Sequence, residues 1–237
     1  MKIFPAIDLY GGRAVRLYKG DYDNMTVYSN NPKDVAQAFL KEGASHLHLV
    51  DLEGARDGGV PNLEVIKDIA SSVDMFIEVG GGIRSIEVIE KYIDAGVDRV
   101  ILGTAAVTDR AFLLDALSRF GKAIAVGVDI RDGFVAIKGW RESSGILAFD
   151  FLRELDSLGV SCVICTDISK DGAMQGTNRE LYKTLARELS LDIVASGGVS
   201  SLEDVKALKE EGLYGAIIGK AYYVGAISLK EAIRIAE

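Results

Sequence analysis

Two aspartates occupy matching positions in the sequence and are suited to proton transfer. Asp8 lies in PAIDLYGGR and Asp129 in VGVDIRDGF, and each ends an apolar run and precedes a glycine-containing segment. Such a run is typical of a buried strand, which would place each carboxylate at the C-terminal end of its strand. Two carboxylates presented in this way predict one active site that works by general acid–base catalysis.

Two glycine pairs predict phosphate-binding turns in opposite halves of the chain. In GGGIRS and SGGVSS the glycines let backbone N–H groups approach a ligand, and a predicted helix begins just after them, at Ser85 or Ser201. A second glycine turn follows the next predicted strand of each half, on the same rim. The residues concerned are Gly81, Gly82, Gly103 and Thr104 in the first half and Gly197, Gly198, Gly219 and Lys220 in the second. The alternative is that these glycines only form tight turns.

Two such cradles imply a small-molecule substrate with a phosphate at each end and its reacting carbons between the two aspartates. The further candidates for substrate contact on the same rim are Lys19, Trp140, Thr166 and Asp171. The indole of Trp140 could stack on a planar heterocycle or pack in the core. No Ser-His or Cys-His arrangement suggests a nucleophile, and the spacing of the acids does not favour a metal site. We expect neither a metal nor a cofactor.

Short apolar runs alternate with segments of helical period, a pattern typical of a parallel α/β sheet. The predicted strands cover residues 3–8, 47–51, 76–80, 99–102, 123–129, 162–167, 192–196 and 215–218. Gly43, Gly96, Gly159 and Gly212 each follow a predicted helix and favour its termination. Eight such units predict a (β/α)8 barrel. An open doubly wound sheet is the alternative, although no Gly-x-Gly-x-x-Gly follows the first strand.

An internal repeat supports the barrel. Residues 76–106 align without a gap to residues 192–222, with glycines and serines paired at a separation of 116. Asp8 and Asp129 are 121 apart, as are Gly12 and Gly133. The first and fifth strands therefore correspond, and the chain reads as two four-strand half-barrels around a pseudo-twofold site. We expect long loops after the first, second, fifth and sixth strands, over 9–31, 52–61, 130–145 and 168–177.

Length and charge restrict the class of protein. A chain of 237 residues with 49% hydrophobic content suits one α/β barrel domain over 1–237. The formal charge of −8 disfavours a nucleic-acid partner. The sequence has neither the roughly 18 uninterrupted apolar residues of a membrane span nor the pattern of a secretory signal at its start. We therefore expect a cytoplasmic protein without a membrane partner, and a monomer.

The cysteines and histidines have simple structural interpretations. Cys162 and Cys165 lie three residues apart in an apolar strand, so they should point to opposite faces and be buried thiols rather than a redox pair or metal site. His46 and His48, the only histidines, lie on the strand-like HLHLVD. We expect both to be filler or hydrogen-bonded groups near the barrel wall.

Taken in order, PAIDLYGGR, HLVDLEGA, VGGGIRS, GVDIRDG, TDISKDGAMQGTN, ASGGVSS and AIIGKAYY closely resemble an isomerase family of histidine biosynthesis. That family acts on phosphoribosylformimino-aminoimidazole carboxamide ribotide. The resemblance covers essentially the whole chain and implies a cofactor-free Amadori rearrangement of an aminoaldose to an aminoketose. It further implies that Asp8 is the general base at the sugar C2, that Asp129 is the acid that assists ring opening, and that Thr166 and Asp171 lie near the sugar. Asp171 is the reserve candidate for the acid.

Three alternatives share some of these features. The related cyclase barrel of imidazole glycerol phosphate synthesis typically has Cys-Leu-Asp where this chain has Ala6-Ile7-Asp8. A dual-substrate isomerase would also convert phosphoribosylanthranilate by the same chemistry. A phosphate-ligand sensor without turnover would keep the glycine turns but would not need the two aspartates.

Overall fold

Strands and helices alternate along residues 1–18 and 20–237, which the computed structural model of the chain describes. The strands are β1 (Lys2–Tyr10), β2 (Arg13–Tyr18), β3 (Asp21–Ser29), β4 (His46–Asp51), β5 (Phe76–Gly80), β6 (Arg99–Leu102), β7 (Ile124–Arg131), β8 (Phe134–Ile137), β9 (Glu142–Leu147), β10 (Cys162–Asp167), β11 (Asp192–Ser196) and β12 (Gly215–Ile218). The helices are α1 (Pro32–Lys41), α2 (Leu52–Asp57), α3 (Leu63–Ala70), α4 (Ile86–Asp94), α5 (Thr104–Thr108), α6 (Arg110–Phe120), α7 (Ala148–Ser157), α8 (Arg179–Glu188), α9 (Leu202–Glu210), α10 (Lys220–Tyr223) and α11 (Leu229–Ala236), with a 3₁₀ turn over Gly121–Ala123.

Within these residues, eight of the strands form a closed parallel barrel. Around the ring their order is β1, β4, β5, β6, β7, β10, β11 and β12. The pairs β6–β7 and β12–β1 join the two halves of the chain and close the ring. The predicted (β/α)8 barrel is confirmed, and the predicted bounds of β5, β6, β10, β11 and β12 are correct to the residue.

The barrel wall separates two apolar layers because successive side chains of a strand point to opposite faces. Phe4 and Ala6 of β1 pack inside the barrel, whereas Ile7 and Leu9 pack outward against the helices. Asp8 is the next inward-facing residue of β1 after Phe4 and Ala6. The alternation that builds the core therefore also directs this carboxylate to the C-terminal mouth of the barrel. Cys162 packs inside and Cys165 outside, and in the described part of the chain both are buried, free thiols, as predicted.

The segments after the first and fifth strands are not open loops, which is a correction to the sequence-based prediction. β1 continues beyond Asp8 and turns back as the antiparallel strands β2 and β3. β7 likewise continues beyond Asp129 and turns back as β8 and β9. Each first turn consists of two residues with positive φ, namely Gly11 with Gly12 and Asp132 with Gly133, which is the geometry of a two-residue hairpin. The predicted second loop also contains a short helix, α2.

Helix boundaries follow the predicted signals. Ser85 and Ser201 are the N-cap residues of α4 and α9, and the Ser201 hydroxyl accepts a hydrogen bond from the backbone N–H of Asp204. The predicted terminating glycines all adopt positive φ just after a helix, which orients the chain back toward the next strand; they are Gly43, Gly96, Gly159 and Gly212.

Candidate active site

A cavity of about 530 Å³ lies at the C-terminal mouth of the barrel, within the size range of small-molecule sites. Both halves of the chain line it. The predicted site residues found there are Asp8, Gly81, Gly82, Gly103, Thr104, Asp129, Trp140, Thr166, Asp171, Gly197, Gly198, Gly219 and Lys220. Lys19, the remaining predicted residue, lies outside the described residues. The structure therefore brings together, in one cavity, predicted residues that are far apart in the sequence.

Asp8 forms a salt bridge with Arg16, a residue that the sequence did not identify. The Arg16 Nη1 lies 3.0 Å from Oδ1 and 2.9 Å from Oδ2 of Asp8, and its Nη2 donates to the carbonyl of Ala6 at 3.1 Å. Arg16 is on β2, and the hairpin register sets Asp8 opposite Val15. The two-residue Gly11–Gly12 turn between apolar segments is the signal that could have predicted this pairing.

Asp129 lies in a less charged environment on β7. In the barrel register it is the neighbour of Thr166 on β10. Burial raises the pKa of Asp129, while interactions with the Thr166 hydroxyl, the Trp140 indole and the charge of His48 act in the opposite direction. The net effect is a raised pKa, so this carboxyl is biased toward its protonated form, as a general acid requires.

Asp171 is a third acid in the cavity, on the segment that follows β10. Burial raises its pKa to about 6; Arg16 and Lys220 oppose this rise, and the negative charges of Asp8 and Asp129 reinforce it. A carboxyl that titrates near neutral pH can donate a proton in the physiological range. Asp129 and Asp171 therefore both have a raised pKa and are both candidates for a general acid.

Two pairs of helix N-termini face the cavity from opposite halves. In the first half, α4 begins after Gly81 and Gly82, and the short helix α5 begins directly after Gly103. In the second half, α9 and α10 begin in the same relation to their own glycines. The N-caps of α5 and α10 have nearly equal dihedral angles, φ −97° and ψ −114° in one and φ −105° and ψ −108° in the other. Both halves thus present the same pair of positive helix ends, an arrangement that favours phosphate.

The glycine at the second position of each cradle is also required by the neighbouring loop. A Cβ on Gly82 would lie 1.8 Å from the carbonyl oxygen of Gly54, and one on Gly198 would lie 2.5 Å from that of Gly176. Both residues have positive φ, 71° and 82°. Close backbone packing is therefore sufficient to explain these glycines, and the phosphate interpretation depends on the helix ends and on the nearby cations.

Each half supplies a cation to its cradle, but from a different turn. Arg84 follows the glycine pair of the first half, and Lys220 follows the later glycine of the second. At the corresponding positions, 116 residues away, the chain has Ser200 and Thr104. The Lys220 Nζ donates to the carbonyl of Gly172 at 3.0 Å, which holds the ammonium at the cavity wall.

Trp140, which lies between β8 and β9, reaches across the mouth of the barrel toward the segment between β2 and β3. It is half-buried, lines the cavity and packs against Gly20, which directly precedes β3; a Cβ on Gly20 would lie 2.9 Å from the Trp140 Cε3 atom. Its ring is therefore neither a fully exposed platform nor a core residue. The indole remains available to a planar ligand group on its cavity side.

His48 is a second cavity residue that the sequence did not select. It is hydrogen-bonded, as expected, because its Nδ1 lies 2.7 Å from Oε1 of the buried Glu78. It also lines the cavity, whereas His46 packs among the rings of Phe4 and Phe76. The period-two alternation of HLHLVD could have predicted that His48 faces the barrel interior.

Over 1–18 and 20–237, the His, Cys, Asp and Glu side chains form no cluster of three arranged to hold a metal ion. Within those same ranges, no helix has the length and apolar character required to cross a membrane.

Comparison with known proteins identifies close relatives over the whole barrel. Residues 2–228 match the family described as histidine biosynthesis protein. Proteins from Oceanobacillus iheyensis and Lactococcus lactis subsp. cremoris are 49% and 50% identical, covering 98% of this chain and 97% and 95% of their own lengths. A protein from Brachyspira hyodysenteriae is 46% identical over the full length of both chains. All three are named 1-(5-phosphoribosyl)-5-((5-phosphoribosylamino)methylideneamino)imidazole-4-carboxamide isomerase.

Proposed function

The chain belongs to the histidine biosynthesis protein family, and from this premise we propose that it is an aldose–ketose isomerase with the activity named in its relatives. The reaction is the Amadori rearrangement of an aminoaldose to an aminoketose in histidine biosynthesis. The observation that carries the proposal is the joint placement of Asp8 and Asp129 in one cavity between two matched helix-end cradles.

The substrate is a small molecule that carries two phosphates. The name of the relatives contains two phosphoribosyl groups, and the cavity has one cradle in each half to receive them. Anchoring both ends places the central part of the substrate over the mouth of the barrel, near the acids. Binding energy from the remote phosphates then serves to orient the reacting carbons.

The rearrangement needs proton transfers at four substrate atoms, namely the ring oxygen, C2, C1 and the enol oxygen. A general acid protonates the ring oxygen, the bond from C1 to that oxygen breaks, and the nitrogen lone pair forms a C=N bond to C1. A general base then removes the proton from C2, and the C–H electrons form the C=C bond of an enaminol. Protonation at C1 and loss of the enol proton complete the aminoketose. No electrons leave the substrate, so the reaction requires no redox cofactor.

We assign Asp8 as the base and Asp129 as the acid. The salt bridge to Arg16 holds Asp8 as an oriented carboxylate, which suits proton removal. The raised pKa of Asp129 suits proton donation. Asp171, with its pKa raised to about 6, is the reserve acid. The side chains of Thr166 and Trp140 interact with the Asp129 carboxyl. In the proposed complex Thr166 would orient the sugar and Trp140 the heterocycle.

The remaining features of the proposal concern the protein as a whole. We propose that residues 1–237 act as one barrel domain and as a monomer in the cytoplasm, without a metal or cofactor. The substrate is the only partner that the proposal requires, with no role for nucleic acid or a membrane.

Purified protein should convert the aminoaldose to the aminoketose. Chromatography and mass spectrometry, calibrated with authentic standards of both compounds, measure the conversion. Expression should also restore growth without histidine to an auxotroph that lacks this isomerase. Phosphoribosylanthranilate serves as the comparison substrate and should be converted poorly or not at all. Soluble protein that neither turns over the aminoaldose nor supports growth would overturn the proposal.

A further inference from the structure

Three ionisable side chains form a row inside the first half of the barrel. His48, Glu78 and Arg99 are register partners on the adjacent strands β4, β5 and β6. The His48 Nδ1 is 2.7 Å from Oε1 of Glu78, and Nε of Arg99 donates to Oε2 at 2.9 Å, with a second, shorter contact from Nη2. Glu78 is fully buried, and the proposed catalytic cycle does not use it.

The second half shows that the fold does not require these charges. The positions 116 residues later are Ile164, Val194 and Gly215, and they form the equivalent register row on β10, β11 and β12. Ile164 and Val194 pack in the apolar barrel interior, and Gly215 is buried beside the ring of Phe4. Since burying charges costs more free energy than a well-packed apolar cluster, the charged row is expected to serve a purpose other than stability.

Arg99 determines the charge of Glu78 and thereby the tautomer of His48. A guanidinium is always protonated in proteins, and its two contacts to Oε2 keep the carboxylate ionised. An ionised carboxylate only accepts hydrogen bonds, so the proton between Oε1 and the imidazole must be on Nδ1. Burial would raise the pKa of Glu78, but His48 and Arg99 together lower it, which agrees with the ionised form.

The tautomer of His48 determines what its other ring nitrogen, Nε2, can bind. Because Nδ1 is held by Glu78 and the ring lines the cavity, Nε2 is the atom left to face the ligand. In the neutral ring Nε2 carries a lone pair and can accept a hydrogen bond from a hydroxyl group.

We propose that Glu78 is a positioning residue for the isomerisation, acting through His48, whose Nε2 it directs to a sugar hydroxyl beside the reacting carbons. This proposal rests on the proposed function and adds a role for the buried row. Glu78 touches no substrate. Its influence passes entirely through the tautomer and orientation of one imidazole.

The test combines kinetics with nitrogen NMR. Glu78→Gln keeps the side-chain shape but removes the charge, and its amide can donate to Nδ1, which permits the Nε2–H tautomer. We expect kcat to fall by about 100-fold with a smaller change in KM. The chain has only two histidines, so a ¹⁵N-imidazole spectrum resolves both, and His48→Asn identifies the His48 signals. In the neutral ring, wild type should show His48 with the proton on Nδ1, and Glu78→Gln should show a mixture.

Two controls separate positioning from general damage. Glu90→Gln is the same substitution at an exposed site on α4 and should leave kcat unchanged. In the His48→Asn background, adding Glu78→Gln should reduce kcat no further, because the residue through which Glu78 acts is already gone. Thermal unfolding of each variant records any loss of stability.

Several outcomes would overturn the proposal. In an active enzyme, an unchanged kcat in Glu78→Gln, an unchanged His48 tautomer, or an equal loss of kcat in both backgrounds would each do so. The last result would make Glu78 a structural residue only. Wild-type protein without isomerase activity would instead overturn the proposed function, whatever the NMR spectra show.

Discussion

The two half-barrels share a backbone but differ in the side chains that reach the cavity. Both have a hairpin after the first strand, two helix-end cradles and an inward aspartate at the same register position. Arg16 forms a salt bridge with Asp8, whereas the residue 121 positions later is Ile137. The row His48, Glu78 and Arg99 likewise corresponds to an apolar row in the second half.

This difference teaches how a duplicated scaffold can perform an asymmetric reaction. Under the proposed function, binding two phosphates is a symmetric task, which the common backbone features would serve. Removing a proton at one carbon and donating one elsewhere is not symmetric, so the two aspartates need different surroundings. Equivalent substitutions in the two halves should therefore have similar effects on substrate binding and different effects on kcat.

The largest expected contrast is between the two aspartates. Asp8→Asn should lower kcat by about 10⁴-fold, because no other carboxylate replaces the base. Asp129→Asn should lower kcat by about 10²-fold, since Asp171 can donate in its place. Steady-state kinetics measure both values. Asp129→Asn combined with Asp171→Asn should approach the loss caused by Asp8→Asn.

Asp192→Asn, the same change at the exposed start of β11, is the matched control and should have wild-type kcat. Equal losses from Asp8→Asn and Asp129→Asn would contradict the assignment of unequal roles. Loss of ligand binding in Asp8→Asn, measured by calorimetry, would contradict its assignment as a base alone.

A smaller contrast concerns the stability of the two cradles. Alanine at Gly82 places its Cβ closer to backbone than alanine at Gly198 does, 1.8 Å against 2.5 Å from a carbonyl oxygen. Gly82→Ala should reduce the free energy of unfolding by about 4 kcal/mol and Gly198→Ala by about 2 kcal/mol. Chemical denaturation measures both.

Gly212→Ala controls for the backbone conformation alone. Gly212 has φ 79°, close to that of Gly198, and among the described residues no atom lies within 4 Å of a Cβ built on it. It should cost about 1 kcal/mol. If all three variants lose the same free energy of unfolding, packing against the neighbouring loop is not the reason that glycine is required at positions 82 and 198.

The cations of the two cradles should contribute almost equally. Arg84→Met and Lys220→Met should each raise KM by about tenfold and change kcat little, because each cation binds one phosphate. The effect should shrink at high salt. Lys230→Met, at an exposed position on α11, should have no effect. A tenfold change in only one of the two variants would show that one cradle does not hold a phosphate.

A further effect is a pH dependence of stability caused by Asp171. Its pKa in the folded protein is raised to about 6, so the fold favours the protonated form and stability is lost as pH rises through that value. Asp171→Asn imitates the protonated form. The variant should be more stable than wild type by about 3 kcal/mol at pH 8, with no difference below pH 4. Equal stability at pH 8 would show that this carboxyl is not strained by its surroundings.

The sequence predicts the barrel well because strand period, helix starts and glycine terminators all indicate the same units. It misses β2, β3, β8 and β9, although Gly11–Gly12 and Asp132–Gly133 are hairpin signals, because β3 and β9 are partly polar and β8 has only four residues. Arg16 was missed for the same reason. The row under His48 could not be found, because only the strand register shows that Glu78 and Arg99 lie beside it.

The most direct test is a crystal structure of the Asp8→Asn variant with the aminoaldose bound. One phosphate should lie about 3 Å from the N–H groups at Gly82 and Gly103 and the other at Gly198 and Gly219, with the sugar C2 facing residue 8. Both phosphates in one half, or C2 turned away from residue 8 and toward Asp129, would contradict a duplicated barrel that holds both ends of its substrate while Asp8 removes the proton.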